Sequence, residues 1–478
     1  MKKTPRIYSS AIAATIGGIL LAGCSPTTTT SDSAEATDAT VSTDSTASNT
    51  AVPAVRDSSA LHTFEIDYDE GDYESLISSY LESGEKVWIS ASVIIDGQTF
   101  DDVGLKLKGN FSLRGLSEDE GASISTAYPE DLPWVIRLDK YVDDQELDGA
   151  TEFVVRGNTS QTSLNEAVAL DLLDNAGLAA EEAISAEVSF GDSDPALRLV
   201  IENPNTAWME RELGNGYLWK SESGGSWAYI DEQTESYVES FDQEGGDDNY
   251  EPLISFLQFV NESDDDTFGT DLDQWLDVGS FATYLAYQTV VNNFDDIDGP
   301  GNNSYLYWDI DTEQMTVVNW DLNLAFGARN EGEGGQVGGA VPGAERGDRT
   351  IPTDGAELPD DTAIPQRGER PTDATLNDAV PDAAGGGQAG PPADGGNAAG
   401  GNAGGGGNVL SERFLANADF TALYDAEVER QTDAFFANGQ ADTSLDAWVN
   451  VLGDDAAALI EPLIVEEEAE ALRANFTV

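Results

Sequence analysis

The sequence predicts an α+β fold, strand-rich in its N-terminal part and helical in its C-terminal part. Three observations carry that expectation. Short runs rich in Val, Ile and Leu, bounded by turn residues, crowd the stretch from Lys86 to Ile201. Apolar residues at helical spacing prevail from Leu253 onward, with one strand pair among them. Between about residues 328 and 408 the composition shifts abruptly to Gly, Pro, Ala and Asp, and helical patterning resumes at Leu410. Such a segment cannot bury enough surface to fold, so it is expected to be a disordered Gly-rich insertion within one domain, residues 56–478. A separate C-terminal helical domain is the other reading.

The elements follow in chain order. Lys2, Lys3 and Arg6 precede an apolar run, Ala11 to Leu21, and Leu21-Ala22-Gly23-Cys24 comes next. This is a signal-peptide pattern. Its L-A-G-C ending resembles a bacterial lipobox, which makes Cys24 the expected lipidation site and residues 1–24 a lipoprotein signal. A plain signal peptide with an incidental cysteine is the alternative. Residues 25–55, mostly Thr, Ser, Ala and Asp, read as a disordered tether. The apolar run falls short of the roughly 18 residues of a spanning helix. The chain is therefore expected outside the cytoplasm, held to the membrane by lipid alone.

Folded structure is expected from near Leu61. Lys86 to Ile95, Asp96-Gly97 and Gln98 to Lys108 read as a hairpin, because Asp-Gly favours the tight turn. Pro133 to Leu138 and Glu152 to Arg156 are further strands. Ser163 to Asn175 is a helix with Leu164, Val168, Leu172 and Leu173 on one face and Gly177 as its C-cap. Ile184 to Phe190 pairs with Leu197 to Ile201, and Tyr217 to Lys220 is a short strand. Helices are expected over Leu253 to Val260 and Val278 to Asn293. Tyr305 to Trp308 and Met315 to Trp320 form a strand pair across Asp311-Thr312. Three helices close the chain: Phe420 to Phe436, Leu445 to Leu452 and Ala456 to Asn475.

Composition excludes several chemistries. Lys and Arg number 22 against 90 Asp and Glu, a formal net charge of −68. Nucleic acid binding is excluded, since phosphate backbones require positive charge. A phosphate ligand could approach only with a divalent metal supplying that charge. Solubility or adaptation to salt is the plainer reading of the acidity. Cys24 is the one cysteine and His62 the one histidine. Disulfides, Cys/His zinc sites and thiol catalysis are excluded, and a Ser-His-Asp hydrolase built on His62 is improbable.

Several segments together resemble a known family. Val103-Gly104-Leu105-Lys106-Leu107-Lys108-Gly109-Asn110-Phe111-Ser112 is similar to a G-V/I-x-L/Y/V-K/R-G-N-x-S pattern. Leu132-Pro133-Trp134, continuing to Asp139-Lys140-Tyr141, resembles L-P-F/W-x-I/L-x-F/L-D-x-Y/F. The helix from Leu164 to Leu173, with Asn175-Ala176-Gly177, resembles R-E-x-L/V-A-x-D-L and its small-residue ending, with Asn165 in place of the arginine. Val200-Ile201-Glu202-Asn203-Pro204 follows, then N-N-F-D from Asn292, N-S-Y-L-Y from Asn303 and W-D-L-N-L-A-F-G from Trp320. In this order they resemble the CotH (spore-coat protein H) kinase-like family over most of Val103–Gly327, with a weaker tail after the insertion. The resemblance implies an atypical protein-kinase-like fold that binds ATP with Mg²⁺ or Mn²⁺ and phosphorylates Ser or Thr of a surface protein. One departure stands out: where many members carry a basic pair before L-P-F/W, this chain has Glu130 and Asp131.

Asp295, Asn303 and Asp321 keep the order in which protein kinases place a catalytic base and two metal ligands. The resemblance makes Asp295 the candidate base; by itself it also reads as an Asx-turn residue. Asp321 is the expected principal metal ligand, with Asn303 and Asn323 as helpers. If Asp321 and Asn323 lie on one strand, they share a face. Asn303 has a turn residue as its other reading. Lys108, Glu166 and Glu202 are the expected nucleotide-site residues, with Lys220 and Arg156 in reserve. Glu166 could pair with a lysine, as a kinase helix glutamate does, or lie on a solvated helix face. Trp134, Tyr217, Trp219, Tyr305, Tyr307 and Trp320 read as core. A non-catalytic surface lipoprotein acting in envelope assembly is the alternative to the enzyme.

Overall fold

The computed structural model describes residues 54–109, 112–157, 160–298, 302–328 and 408–476. The expected signal, its Cys24, nearly all of the expected tether and the body of the Gly-rich insertion lie outside these residues.

Seven strands close into a barrel. They are β1 (Leu61–Tyr68), β2 (Ile89–Ile95), β3 (Gln98–Leu107), β4 (Trp134–Arg137), β5 (Glu152–Val155), β6 (Ala183–Phe190) and β7 (Ala196–Glu202). Their order around the barrel is β1-β2-β3-β4-β5-β7-β6. Burial alternates along β1 and β2, as strands with one face inward require. The inward side chains, among them Phe64, Val93, Leu105, Ile136, Val155 and Val188, fill one apolar core. The β2–β3 hairpin turns at Asp96 and Gly97, both with positive φ, as its Asp-Gly sequence requires. The seam is parallel: Leu61 of β1 faces Ser185 of β6. Nothing local in the sequence announces that pairing, and β1 was not among the expected strands. His62 is buried there. Its Nδ1 lies 2.7 Å from Asp96 Oδ2 and its Nε2 2.9 Å from the Asp57 carbonyl, so it is a structural residue.

A second, antiparallel sheet has the order β11-β10-β8-β9. It comprises β8 (Gly216–Ser221), β9 (Phe241–Gly245), β10 (Ser304–Asp309) and β11 (Gln314–Asn319). The helices are α1 (Glu70–Ser83), α2 (Leu164–Ala176), α3 (Thr206–Glu212), α4 (Glu251–Glu262), α5 (Asp265–Asp271), α6 (Val278–Val290), α7 (Val409–Ala416), α8 (Ala418–Thr432), α9 (Gln440–Asp454) and α10 (Pro462–Arg473). Gly177 ends α2 in the left-handed conformation, as its position predicts. Several boundaries differ from expectation, two of them for local reasons. α6 stops at Val290, because its last carbonyls are met by a tight turn through Asn292. Residues 456–461 are not helical; Pro462, which needs no N–H partner, starts α10.

Residues on both sides of the insertion share one hydrophobic core: Leu172, Phe256, Tyr284 and Leu306 are clustered with Leu410, Phe435, Leu445 and Leu472. Polar contacts repeat the message. Trp448 Nε1 donates to Asp171 of α2 at 2.8 Å. The Glu468 carboxylate of α10 accepts the backbone N–H groups of Gln161 and Thr162, each at 3.0 Å, just before α2 begins. Arg413 of α7 donates to the Val260 carbonyl at 2.7 Å. The fold is α+β, a seven-stranded barrel followed by a sheet packed with helices.

Candidate functional site

The open end of the β10–β11 hairpin gathers the acidic candidates. Ser304 faces Asn319 across the two strands, which brings Asn303 level with Trp320, the residue before Asp321. The loop after α6 joins them: Asn303 Nδ2 donates to the Asp295 carbonyl at 2.8 Å and to Asp295 Oδ2 at 3.0 Å. A buried amide relay ties the same loop to β11. Asn293 Nδ2 donates to Gln288 Oε1 at 2.9 Å, and Gln288 Nε2 to Asn319 Oδ1 at 2.7 Å. The chain after Asp321 then folds back, and Gly327 N–H reaches the Asn292 carbonyl at 3.2 Å.

Asp321 does not continue β11. The strand ends at Asn319, and Asp321 has φ 63°, so the alternation that would put Asn323 on its face does not apply. Asn323 stays close by another route: its carbonyl accepts Asn165 Nδ2 of α2 at 2.6 Å.

Arg156, which follows β5, links Asp321 to α2. Its guanidinium bonds the Asp321 carboxylate and sits 2.7 Å from Glu166 Oε1. Glu166 is 3 % exposed, so it is not a solvated helix residue. Its cation is an arginine, not the lysine that kinase analogy suggests. Burial disfavours the Arg156 cation, but the Asp321 and Glu166 carboxylates outweigh that and hold its pKa above the ordinary arginine value.

Lys108 also lies over Trp320. Its Nζ lies 5.2 Å from the Trp320 ring and 3.4 Å from Asn203 Oδ1, while Arg156 lies 5.9 Å from the same ring. Burial and the nearby Lys220 charge push the Lys108 pKa down to about 8, against the pull of Glu152 and Glu244. Asn203 also donates to Glu152 Oε1 at 2.9 Å, and burial pushes the Glu152 carboxyl up to about 7.

Glu202 is not part of this set. It precedes Asn203 in a strand-end segment and is held by Arg211, at 2.8 and 2.7 Å, with Arg56 at 3.8 Å. Within the segment Val200–Pro204 the residue that meets Lys108 is therefore Asn203. Its neutral amide gave no signal of that role, whereas the adjacent acid did.

Glu181 was also missed. It is 3 % exposed, and its Oε2 has no hydrogen-bond partner among the described residues. Burial pushes its pKa up to about 8, with Glu166 and Asp321 adding and Arg156 opposing. It is a neutral acid beneath the Arg156 network at neutral pH.

The acidic pair Glu130 and Asp131 lies in a short 3-10 turn, Pro129–Asp131. The Asp131 carbonyl accepts Arg198 Nη2 at 2.9 Å, and the same atom donates to the Arg156 carbonyl at 2.6 Å. Both acids offset the burial of the Arg198 cation. Their sign therefore suits a structural arginine behind the site.

Among the described residues no group of three or more His, Cys, Asp or Glu is arranged to hold a metal ion by itself. Two surface clefts, of about 440 and 390 Å³, share Asp174, Leu178, Ala179 and Glu212 and include neither Asp295 nor Asp321. Compared with known families, the chain matches CotH kinase protein over residues 107–458. No curated protein is similar enough to count as a match.

Proposed function

The chain belongs to the CotH kinase family, and on that premise we propose that it is an extracytoplasmic, ATP- and metal-dependent protein kinase of atypical kinase-like fold. The observation that carries the reading is that Asp295 and Asn303 are bonded at the hairpin end from which the chain runs on to Asp321, which Arg156 holds, with Lys108 and Arg156 both over Trp320. Its substrate would be a Ser or Thr hydroxyl of a surface protein. The lipoprotein signal and Cys24 remain the basis for placing the enzyme at the membrane surface. No helix among the described residues is long and apolar enough to cross a membrane.

In this reading Asp295 takes the proton of the acceptor hydroxyl, whose oxygen then bonds the γ-phosphorus as the bond to the departing ADP breaks. Asn303 holds the Asp295 carboxylate in place through its Nδ2. Lys108 supplies positive charge to the phosphates; burial lowers its pKa to about 8, and a phosphate bound beside it would favour the charged form again. Glu166 fixes Arg156, and Arg156 in turn fixes the start of the Asp321 turn.

The donor set suits Mg²⁺ or Mn²⁺. Asp321, with Asn303 and Asn323, offers oxygens only, and such an ion would take phosphates and waters as its other ligands. Bound there, the ion would neutralise charge on the transferring phosphoryl group.

A second reading, a non-catalytic surface lipoprotein active in envelope assembly, has one observation behind it. Asp321 already has a cationic partner in Arg156. Thermal unfolding with ATP and Mg²⁺ or Mn²⁺ separates the two. At about 100 times its Kd a nucleotide adds about 2.7 kcal/mol. The kinase reading expects that metal-dependent stabilisation, its loss in Asp321→Ala and its survival in Asp295→Ala. No stabilisation by any nucleotide and metal would leave the scaffold reading.

A further inference from the structure

The lysines of this chain are distributed in a way that chance does not explain. After Lys3 they are Lys86, Lys106, Lys108, Lys140 and Lys220, and none follows. All five converge on one region. Lys106 and Lys140 sit over the same Trp88 ring, at 4.4 and 4.9 Å from its centre. Lys86 feels the charges of Lys220 and Lys106, and so does Lys108. None of the five is fully exposed, although lysine is normally among the most exposed residues.

The chain builds this gathering deliberately. Ile89 faces Leu105 across β2 and β3, so Trp88 lies level with Lys106. Gly104, two residues before Lys106 and on its face, makes room for Lys140. A Cβ at 104 would come within 2.6 Å of the Lys140 side chain and 2.9 Å of Trp88. The outer pair is short of counter-charge. Lys220 has Glu222 at 2.7 Å, and Lys108 has Glu152 and Glu244 near it. Lys106 and Lys140 make no direct ion pair among the described residues; Lys106 shares the more distant charges of Glu152 and Glu244 with Lys108. Two ammonium groups held on an aromatic face without a direct carboxylate contact form a recognition surface for anions.

We propose that Trp88, Lys106 and Lys140, with Lys86 and Lys220 beside them, are the docking site for an acidic segment of a polypeptide, which enters here on its way to Asp295. The body as a whole repels anions, so only a segment that reaches this patch is held. The lysines are half-buried, which suits an inserted segment better than an anionic membrane surface lying flat on the protein. That the segment carries the phosphoacceptor rests on the kinase reading; that it binds here does not.

The test uses the full chain and a labelled peptide of alternating Glu and Gly with one central Ser, followed by fluorescence polarisation. A Lys-for-Glu counterpart, ATP–Mg²⁺ and phosphatidylserine vesicles are run in parallel. The acidic peptide should bind, and Lys106→Gln with Lys140→Gln should weaken it about tenfold, as expected for two lost charge-assisted contacts. Lys140→Arg, which keeps the cation on the ring, should retain binding and guards against a fold defect. Stabilisation by ATP–Mg²⁺ should not change in the double variant. Binding of the Lys counterpart as tightly as the acidic peptide would overturn the proposal. So would an equal loss of ATP, or a patch-dependent affinity for vesicles alone. If the peptide binds and no phosphate is transferred, the docking site stands and the kinase reading fails.

Discussion

Two groups of cations, one beside Trp320 and one over Trp88, are furnished in opposite ways. Arg156 is buried, with Glu166 and Asp321 both on its guanidinium. Lys106 and Lys140 are half-exposed, lie over Trp88 and make no direct ion pair among the described residues. A buried charge is tolerated only when its partners are built in, since water cannot supply them. A charge left at the rim without a partner costs little while it waits for a ligand. The first group thus holds the fold at the site, and the second is available for recognition.

The comparison is most exposed to attack at Glu166. Glu166→Ala leaves the Arg156 cation buried with Asp321 alone, and should cost about 3–5 kcal/mol in urea unfolding. A loss under about 1 kcal/mol would mean that Arg156 turns outward, and that the two groups are alike after all.

Glu181 sharpens the contrast by pH. Its folded pKa of about 8 lies above the ordinary 4.5, so the folded state keeps a proton that the unfolded chain gives up. Its contribution is fully present below about pH 4.5 and is lost as pH rises through 8. Glu181→Gln should flatten the fall of Tm over that window. An unchanged slope would show that Glu181 does not sense the Arg156 network.

Lys106→Gln is the smallest effect. Removing an unmatched rim charge should change stability by no more than about 0.5 kcal/mol. A cost comparable with that of Glu166→Ala would make Lys106 structural and remove the distinction.

How much of this was legible depends on the range of the interaction. The β2–β3 hairpin is written in its Asp-Gly turn, and the end of α2 in Gly177, because both are decided within a few residues. The barrel is not, since it closes through β1 and β6, far apart in sequence. The acidic candidates came together as expected for Asp295 and Asn303, whose bond spans eight residues. The Arg156–Asp321 contact joins segments 165 residues apart, and nothing near either residue indicates it. Asp321 and Asn323 misled because strand alternation was extended as far as four residues beyond the real end of β11. Glu202 misled because an acid draws attention that its neighbour Asn203 does not, although Asn203 is the one bonded to Lys108.

The parallel seam sets a timetable for folding. β1 is the first strand made, yet Leu61 pairs with Ser185 and Phe64 with Val188, more than a hundred residues later. At about 5–20 residues per second, synthesis leaves β1 without that neighbour for roughly 6–25 s. During the wait its outer edge is an unsatisfied row of amides, able to pair with another nascent chain. Closure is therefore expected to be slow, as it is for folds dominated by distant contacts. A companion that covers β1 in that interval would raise the yield of folded protein without touching the finished molecule.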